Sequence, residues 1–218
     1  MAVKDYFYSM FYFVKTPKWL QFLYPNRIWE MDVNKKEIYL TFDDGPHLTI
    51  TNFVLDELKK YNALATFFCI GNNALKYPEV YQRILTEGHA VGNHTQQHLN
   101  GYKTSDKVYV NDILEASKNI KSNLFRPPYG RIKAFQAKVI TTLARPYKII
   151  MWTLLSGDFD TSITPERCFE NVAFKISNGS IIVFHDSEKA ADRMMYALPK
   201  LLKKFSEMGF SFKKLLHE

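Results

Sequence analysis

From residue 37 onward, short runs of β-branched and aromatic residues alternate with amphipathic stretches. Ile38-Tyr39-Leu40-Thr41-Phe42 ends on the turn formers Asp43-Asp44-Gly45-Pro46, which predicts a strand delivering two carboxylates into a turn. Apolar Phe53, Val54, Leu55 and Leu58 predict a helix over 51–61. The run over 63–70 predicts a buried strand closed by Gly71. Residues 78–87 predict a helix, with Pro78 at its start and Gly88 past its end. Strands over 89–93, 123–126, 147–152, 180–184 and 210–212 then alternate with helices over 105–120, 133–144 and 165–176, and a last helix within 188–208. Thr164 stands where it can cap the helix that starts at Pro165.

Seven strands interleaved with helices predict a parallel α/β arrangement. Strands this apolar need cover on both faces, which an open doubly wound sheet and a closed barrel both provide. Polar residues separate the two. Asp43 and Asp44 end the first strand, His94 follows the third, Arg126 ends the fourth, Trp152 the fifth and His185 the sixth. They converge only if the sheet curls, so the expected fold is a β/α barrel with parallel strands and its site at the mouth.

Composition bounds this picture without redirecting it. A chain of 218 residues, 46% hydrophobic and 23% charged, fits one domain and needs no disulfide or structural metal to fold. It has no 20–50-residue repeat and no run of 18 apolar residues. Its net charge of +7 comes from pairs such as Lys35-Lys36, Lys59-Lys60, Lys203-Lys204 and Lys213-Lys214, scattered along the chain. That is a solvated basic surface rather than a nucleic-acid footprint. Cys69 and Cys168 lack the spacing of a disulfide or zinc framework. The aromatic start, Tyr6 to Val14, lacks a secretory signal's features. It is expected to pack on the domain as an arm over 1–30, with membrane-surface contact the less favoured reading. Cytoplasmic and envelope-associated locations both remain open.

The candidate chemistry is ambiguous motif by motif. Asp43-Asp44 is either a turn or a pair of carboxylates needing a cation. His94 and His98, four apart, fit one side of a helical turn and zinc ligation, or chance. Two His and a carboxylate serve zinc hydrolases and iron(II) oxygenases alike. Arg126 before Pro127-Pro128 reads as a surface or ion-pair residue, although the stiff loop leaves the N–H of Tyr129 free to point outward. His185, at the end of a buried strand, reads as structural by default.

Their order is more specific. Thr41-Phe42-Asp43-Asp44-Gly45-Pro46, Gly92-Asn93-His94-Thr95-Gln96-Gln97-His98, Arg126-Pro127-Pro128-Tyr129-Gly130, Trp152 with Asp158 six residues on, and Val183-Phe184-His185 follow one another along the chain. This set resembles the polysaccharide deacetylase family, carbohydrate esterase family four with its NodB-homology domain. The resemblance runs from residue 38 to about 212, implies an irregular (β/α)7-like barrel with parallel strands, and makes 31–218 the expected catalytic domain. It implies removal of acetyl from N-acetylated sugars with a divalent metal, zinc first, with cobalt, nickel or manganese as alternatives. It further implies Asp44, His94 and His98 as ligands, Asp43 as base, Arg126 as the residue orienting it, and His185 as general acid paired with Asp158. Tyr129 would offer its N–H to the oxyanion, and Tyr129, Phe159 and Val183 would line the substrate site. Phe159 and Val183 depart from the Trp and Leu usual in the family, which puts substrate preference in doubt. His89 is expected to be structural and His47 a loop residue at the mouth.

The expected activity is therefore hydrolysis of N-acetyl groups on a glycan containing N-acetylhexosamine, such as peptidoglycan or chitooligosaccharide, by a monomer. A carbohydrate-binding pseudoenzyme of the same fold is the alternative. An iron(II) oxygenase fits the ligand types but not the βα alternation.

Overall fold

Strand β1 (Glu37–Asp43) is the centre of a parallel sheet in the computed structural model, which describes residues 12–215. On one side follow β2 (Ala65–Cys69), β3 (Ala90–Asn93), β4 (Leu124–Phe125) and β5 (Lys148–Ile149). On the other lie β7 (Ile181–His185) and β6 (Leu154–Leu155). Every pairing in this order is parallel. A final β8 (Ser211–Phe212) pairs with the start of β1.

The strands alternate between two apolar environments, as a period of two requires. Ile38, Leu40 and Phe42 face a core shared with Val54, Leu55 and Leu58 of α2 (Ile50–Lys60) and with Leu198, Leu201 and Leu202 of α8 (Ala191–Glu207). Tyr39 faces the other way and clusters with Phe68, Leu124, Ile150, Ile181 and Leu215, none of them helical. Two faces, both apolar, are what an all-parallel sheet must cover. The second is covered because the sheet curls on itself. Arg126, just past β4, reaches Asp43 and Thr41 of β1 at 2.7 Å. Three strand spacings of about 4.8 Å would put these beyond reach across a flat sheet.

The curl stops short of closure, since β5 and β6 do not pair with each other. The segment before β1 bridges them. Lys15 forms an antiparallel bridge with Leu154, Ile28 a parallel one with Ile150, and Glu30 an antiparallel one with Ser180. Within it α1 (Lys18–Leu23) sets Leu20 against the cluster of Trp29, Tyr109, Phe125 and Ile149. The expected arm over 1–30 thus has its residues 12–30 along the open edge, while residues 1–11 lie outside the described chain. Among the described residues, no helix is long and apolar enough to cross a membrane.

Several elements differ from the sequence expectation. The run over 147–152 pairs only at β5, and β6 is a separate strand. Met151 turns its N–H to Ile28 O at 2.7 Å, and the carbonyls of Ile150 and Met151 accept from Arg126. Gly71 opens a short helix, α3 (Gly71–Lys76), instead of merely closing β2. The expected helix starts hold at α4 (Pro78–Thr86) and α7 (Pro165–Ala173). Both have proline in the first turn, and Thr164 accepts from Arg167 N.

Candidate active site

Register sets the first pair of site residues. Asp43 and His185 are partners across β1 and β7, so parallel pairing places both side chains on the inner face at the strand ends. Asp44 follows in a left-handed backbone conformation, φ 80°. Gly45 N–H then donates to the Asp186 carboxylate at 2.9 Å, and the Thr51 hydroxyl donates to the other oxygen of the same group. A Cβ on Gly45 would lie 2.0 Å from that oxygen, so this close approach requires glycine. Burial pushes the Asp186 carboxyl up to about 7. Sequence reasoning missed this brace. Its signal was Asp186 itself, an acidic residue directly after a buried strand.

His94 and His98 converge, but not through a helical turn as expected. Residues 94–98 form a loop after β3, with φ 64° at Thr95 and 58° at His98. The loop is pinned from outside. Asp112 of α5 (Asp106–Ala116) accepts from Gln96 N and Gln97 N at 3.0 and 3.1 Å, and Asn93 Oδ1 accepts from Thr95 N at 2.8 Å. These bonds capture N–H groups and leave no helix to form. Left-handed non-glycine residues cost free energy and gather where a site needs them; Asp44, Thr95, His98 and Tyr129 do so here.

The geometry suits a cation. His94 Nδ1 lies 2.7 Å from Arg126 O, an acceptor, so Nδ1 carries the proton and Nε2 presents a lone pair. Nε2 of His94 and of His98 lie 3.7 and 3.2 Å from Asp44 Oδ1. One ligand atom from each of the three residues lies within 4.8 Å of the others. Asp44 Oδ1 is buried without a well-aligned hydrogen-bond donor. A buried acceptor flanked by two imidazole nitrogens is a donor set that a divalent cation fits. Burial holds His94 down at about 4, in the neutral form ligation needs. Burial also works to raise the Asp44 carboxyl, but contact with His98 and the charges of His185 and His94 outweigh it and hold Asp44 below the usual carboxylate range.

Arg126 is fully buried, its guanidinium bonded to Asp43 Oδ1, Thr41 Oγ1, Ile150 O and Met151 O and lying 4.1 Å over the Phe68 ring. It is no surface residue. Arg126→Met leaves Asp43 a buried, unpaired charge, so stability should fall by roughly 3–5 kcal/mol. Urea titration checks this, and Asp43→Leu added to Arg126→Met should recover most of the loss.

Asp158 is wholly buried and accepts twice from His185, at 2.7 Å from ring Nδ1 and 2.6 Å from the backbone N. Burial alone would lower His185, but the Asp158 charge and hydrogen bond prevail and raise it to about 10. Tyr129 has φ 59°, packs its ring 4.7 Å from that of His98, and its N–H has no hydrogen-bond partner among the described residues. Phe159 stands edge-on to His185 at 5.3 Å. Val183 is buried between Thr41 and Leu155.

A cavity of 270 Å³ beside Asp44 and His98 is lined also by His47, Asn73, Asp186 and Glu188. Phe159, Val183 and Tyr129 lie outside that lining. His47 sits at the mouth, 3.4 Å from Glu188. His89 is structural: its Nδ1 accepts from Ala65 N, and burial lowers it to about 4. Cys69 and Cys168 are buried free thiols.

A curled parallel sheet with carboxylates and imidazoles gathered at its strand ends defines an α/β half-barrel with a polar mouth. The polysaccharide deacetylase family model matches residues 30–145, more than half of the chain. The chain is 35% identical over 190 residues to a peptidoglycan-N-acetylglucosamine deacetylase of Bacillus cereus, covering 84% of this chain and 88% of that one. It is 33% identical over 161 residues to a chitooligosaccharide deacetylase of Azorhizobium caulinodans, covering 70% and 75%. A crystal structure of a peptidoglycan N-acetylglucosamine deacetylase in complex with 4-naphthalen-1-yl-N-oxidanyl-benzamide superposes with a TM-score of 0.83 at 31% identity, covering 92% of this chain and 95% of that one. Other curated relatives are longer, and the match spans 37–66% of their length. The chain belongs to the polysaccharide deacetylase family.

Proposed function

We propose that this protein hydrolyses the N-acetyl group of N-acetylhexosamine units in an envelope glycan, peptidoglycan first and chitooligosaccharide second. The reading includes a divalent metal, zinc first, held by Asp44, His94 and His98. The observation that carries it is the meeting of that acceptor trio with two differently held proton-transfer groups, Asp43 and His185, on adjacent strand ends. The named activities of the relatives support the substrate class.

A divalent cation bound there supplies Lewis acidity to water and to a carbonyl oxygen. Asp43, fixed at one oxygen by Arg126, takes a proton from the attacking water. The Tyr129 N–H donates to the acetyl oxygen as that oxygen gains negative charge. His185, oriented through Nδ1 by Asp158, gives its proton from Nε2 to the departing amine. Base and acid are thus separate groups, each with its own orienting partner.

The test is acetate release from peptidoglycan fragments and chitooligosaccharides by the zinc-loaded, cobalt-loaded and chelator-treated protein. Release is expected only from loaded protein. A fully loaded protein that binds these glycans yet releases no acetate would favour the binding-only alternative. Calorimetric titration separately checks the ligands. His94→Ala should lose stoichiometric zinc while keeping a cooperative thermal transition, and unchanged zinc affinity would overturn the assignment.

A further inference from the structure

The turn at 157–160 carries two of the proposed site's side chains, and it is held from the N-terminal segment. Asp160 N donates to Gly157 O at 2.9 Å, which makes Asp158 and Phe159 the central residues of a β-turn. Asp158 is tied down on three sides, by the two His185 bonds and by Arg193 Nε, which donates to its carbonyl at 2.6 Å. Phe159 has no polar tether on its side chain. Among the described residues its ring meets two others, His185 at 5.3 Å and Tyr12 at 5.1 Å, the latter at an interplanar angle of 60°.

Tyr12 is itself fixed. Its hydroxyl donates to Asp160 Oδ2 at 3.1 Å, and burial and that carboxylate raise its ionisation to about 12, so the proton stays on. A Cβ on Gly157 would lie 2.6 Å from this hydroxyl, so the glycine makes its room. The backbone just beyond is strapped to the β6 edge. Leu155 N donates to Val14 O at 2.8 Å, Thr16 N to Thr153 O at 2.9 Å, and Thr16 Oγ1 to Trp152 O at 2.8 Å. Tyr12 also precedes the region matched by the family model, which begins at residue 30.

We propose that Tyr12 is a positioning residue that sets acyl specificity, its ring holding Phe159 edge-on against His185, beside the proposed general acid and outside the 270 Å³ cavity at Asp44 and His98. The N-terminal segment is then part of the recognition machinery as well as a cover for the open sheet edge. This rests on the deacetylase reading above. Without the Tyr12 ring, Phe159 keeps one aromatic contact and swings more freely, and the space beside His185 admits longer acyl groups.

The experiment compares N-acetyl and N-propionyl glucosamine oligomers on the whole metal-loaded protein and its variants. Tyr12→Ala should raise the propionyl-to-acetyl ratio of kcat/KM by roughly three- to tenfold, the scale of one lost ring contact, with most of the change in KM. Tyr12→Phe keeps the ring and should keep the parent ratio. In a Phe159→Ala background, Tyr12→Ala should change the ratio no further. A parent-like ratio in Tyr12→Ala, a Tyr12→Phe protein as altered as Tyr12→Ala, or full additivity with Phe159→Ala overturns the proposal. Hydrogen exchange at the Asp160 amide is a second readout and should quicken in Tyr12→Ala. It separates the two failures. A parent protein that deacetylates nothing overturns the function, whereas unchanged exchange overturns the positioning by Tyr12.

Discussion

Asp43→Asn should bind zinc as tightly as the parent protein and lose kcat by a factor on the order of 10² to 10⁴, the usual contribution of a general base. The amide preserves the shape of the side chain and can still accept from Arg126, which holds Asp43 Oδ1 at 2.7 Å. It cannot accept a proton at neutral pH. The cation trio uses the next residue, Asp44, whose backbone turns into the left-handed region and carries its carboxylate toward His94 and His98. In the proposed mechanism the two adjacent carboxylates thus take separate tasks. Zinc titration and steady-state kinetics on the same preparation check both halves. Lost zinc would move Asp43 into the ligand set, and near-full kcat would move the base elsewhere.

The barrel mouth was legible in the sequence because strand ends are local features. The run over 38–42 had to stop at Asp43-Asp44-Gly45-Pro46, and His185 had to follow an apolar run; parallel register then set Asp43 beside His185. The geometry joining His94 to His98 was not legible. A spacing of four fits a helical turn, but Asp112, sixteen residues beyond Gln96, captures the N–H groups that a helix would need. Arg126 before two prolines left a surface site and an ion pair both open, and its own motif could not choose between them. Its burial depends on acceptors from Thr41, Asp43, Ile150 and Met151, which come together only once the sheet has curled. Tyr12 lies 148 residues from Asp160 along the chain, and no periodicity in an aromatic run foretells such a partner. What stayed hidden is the set of long-range polar contacts that fix loops, whereas apolar periodicity announced the strands and helices those loops join.

Asp158→Asn should separate the charge of the acid pair from its geometry. The substituted amide can keep an oxygen near His185 Nδ1, but it removes the negative charge that, with the hydrogen bond, raises His185 to about 10. Burial is then opposed only by the weaker pull of the Asp44 and Asp43 charges, and the imidazole falls from about 10 toward its ordinary value near 6.5. At neutral pH much of the variant's imidazole has lost the proton it must give, and kcat should fall on the order of 10², the lower end for a lost general acid. The same change has a stability signature of definite sign. In the parent, folded His185 keeps its proton up to about 10, whereas the unfolded side chain releases it near 6.5. The proton-linked stabilisation is thus fully present below pH 6.5 and lost as pH rises through about 10. Urea titrations at about pH 6, 8 and 10 should show the parent losing stability across that window relative to Asp158→Asn, and NMR titration of the metal-free protein should follow His185 directly. A His185 resonance that titrates alike in both proteins would remove Asp158 from its role as the orienting carboxylate.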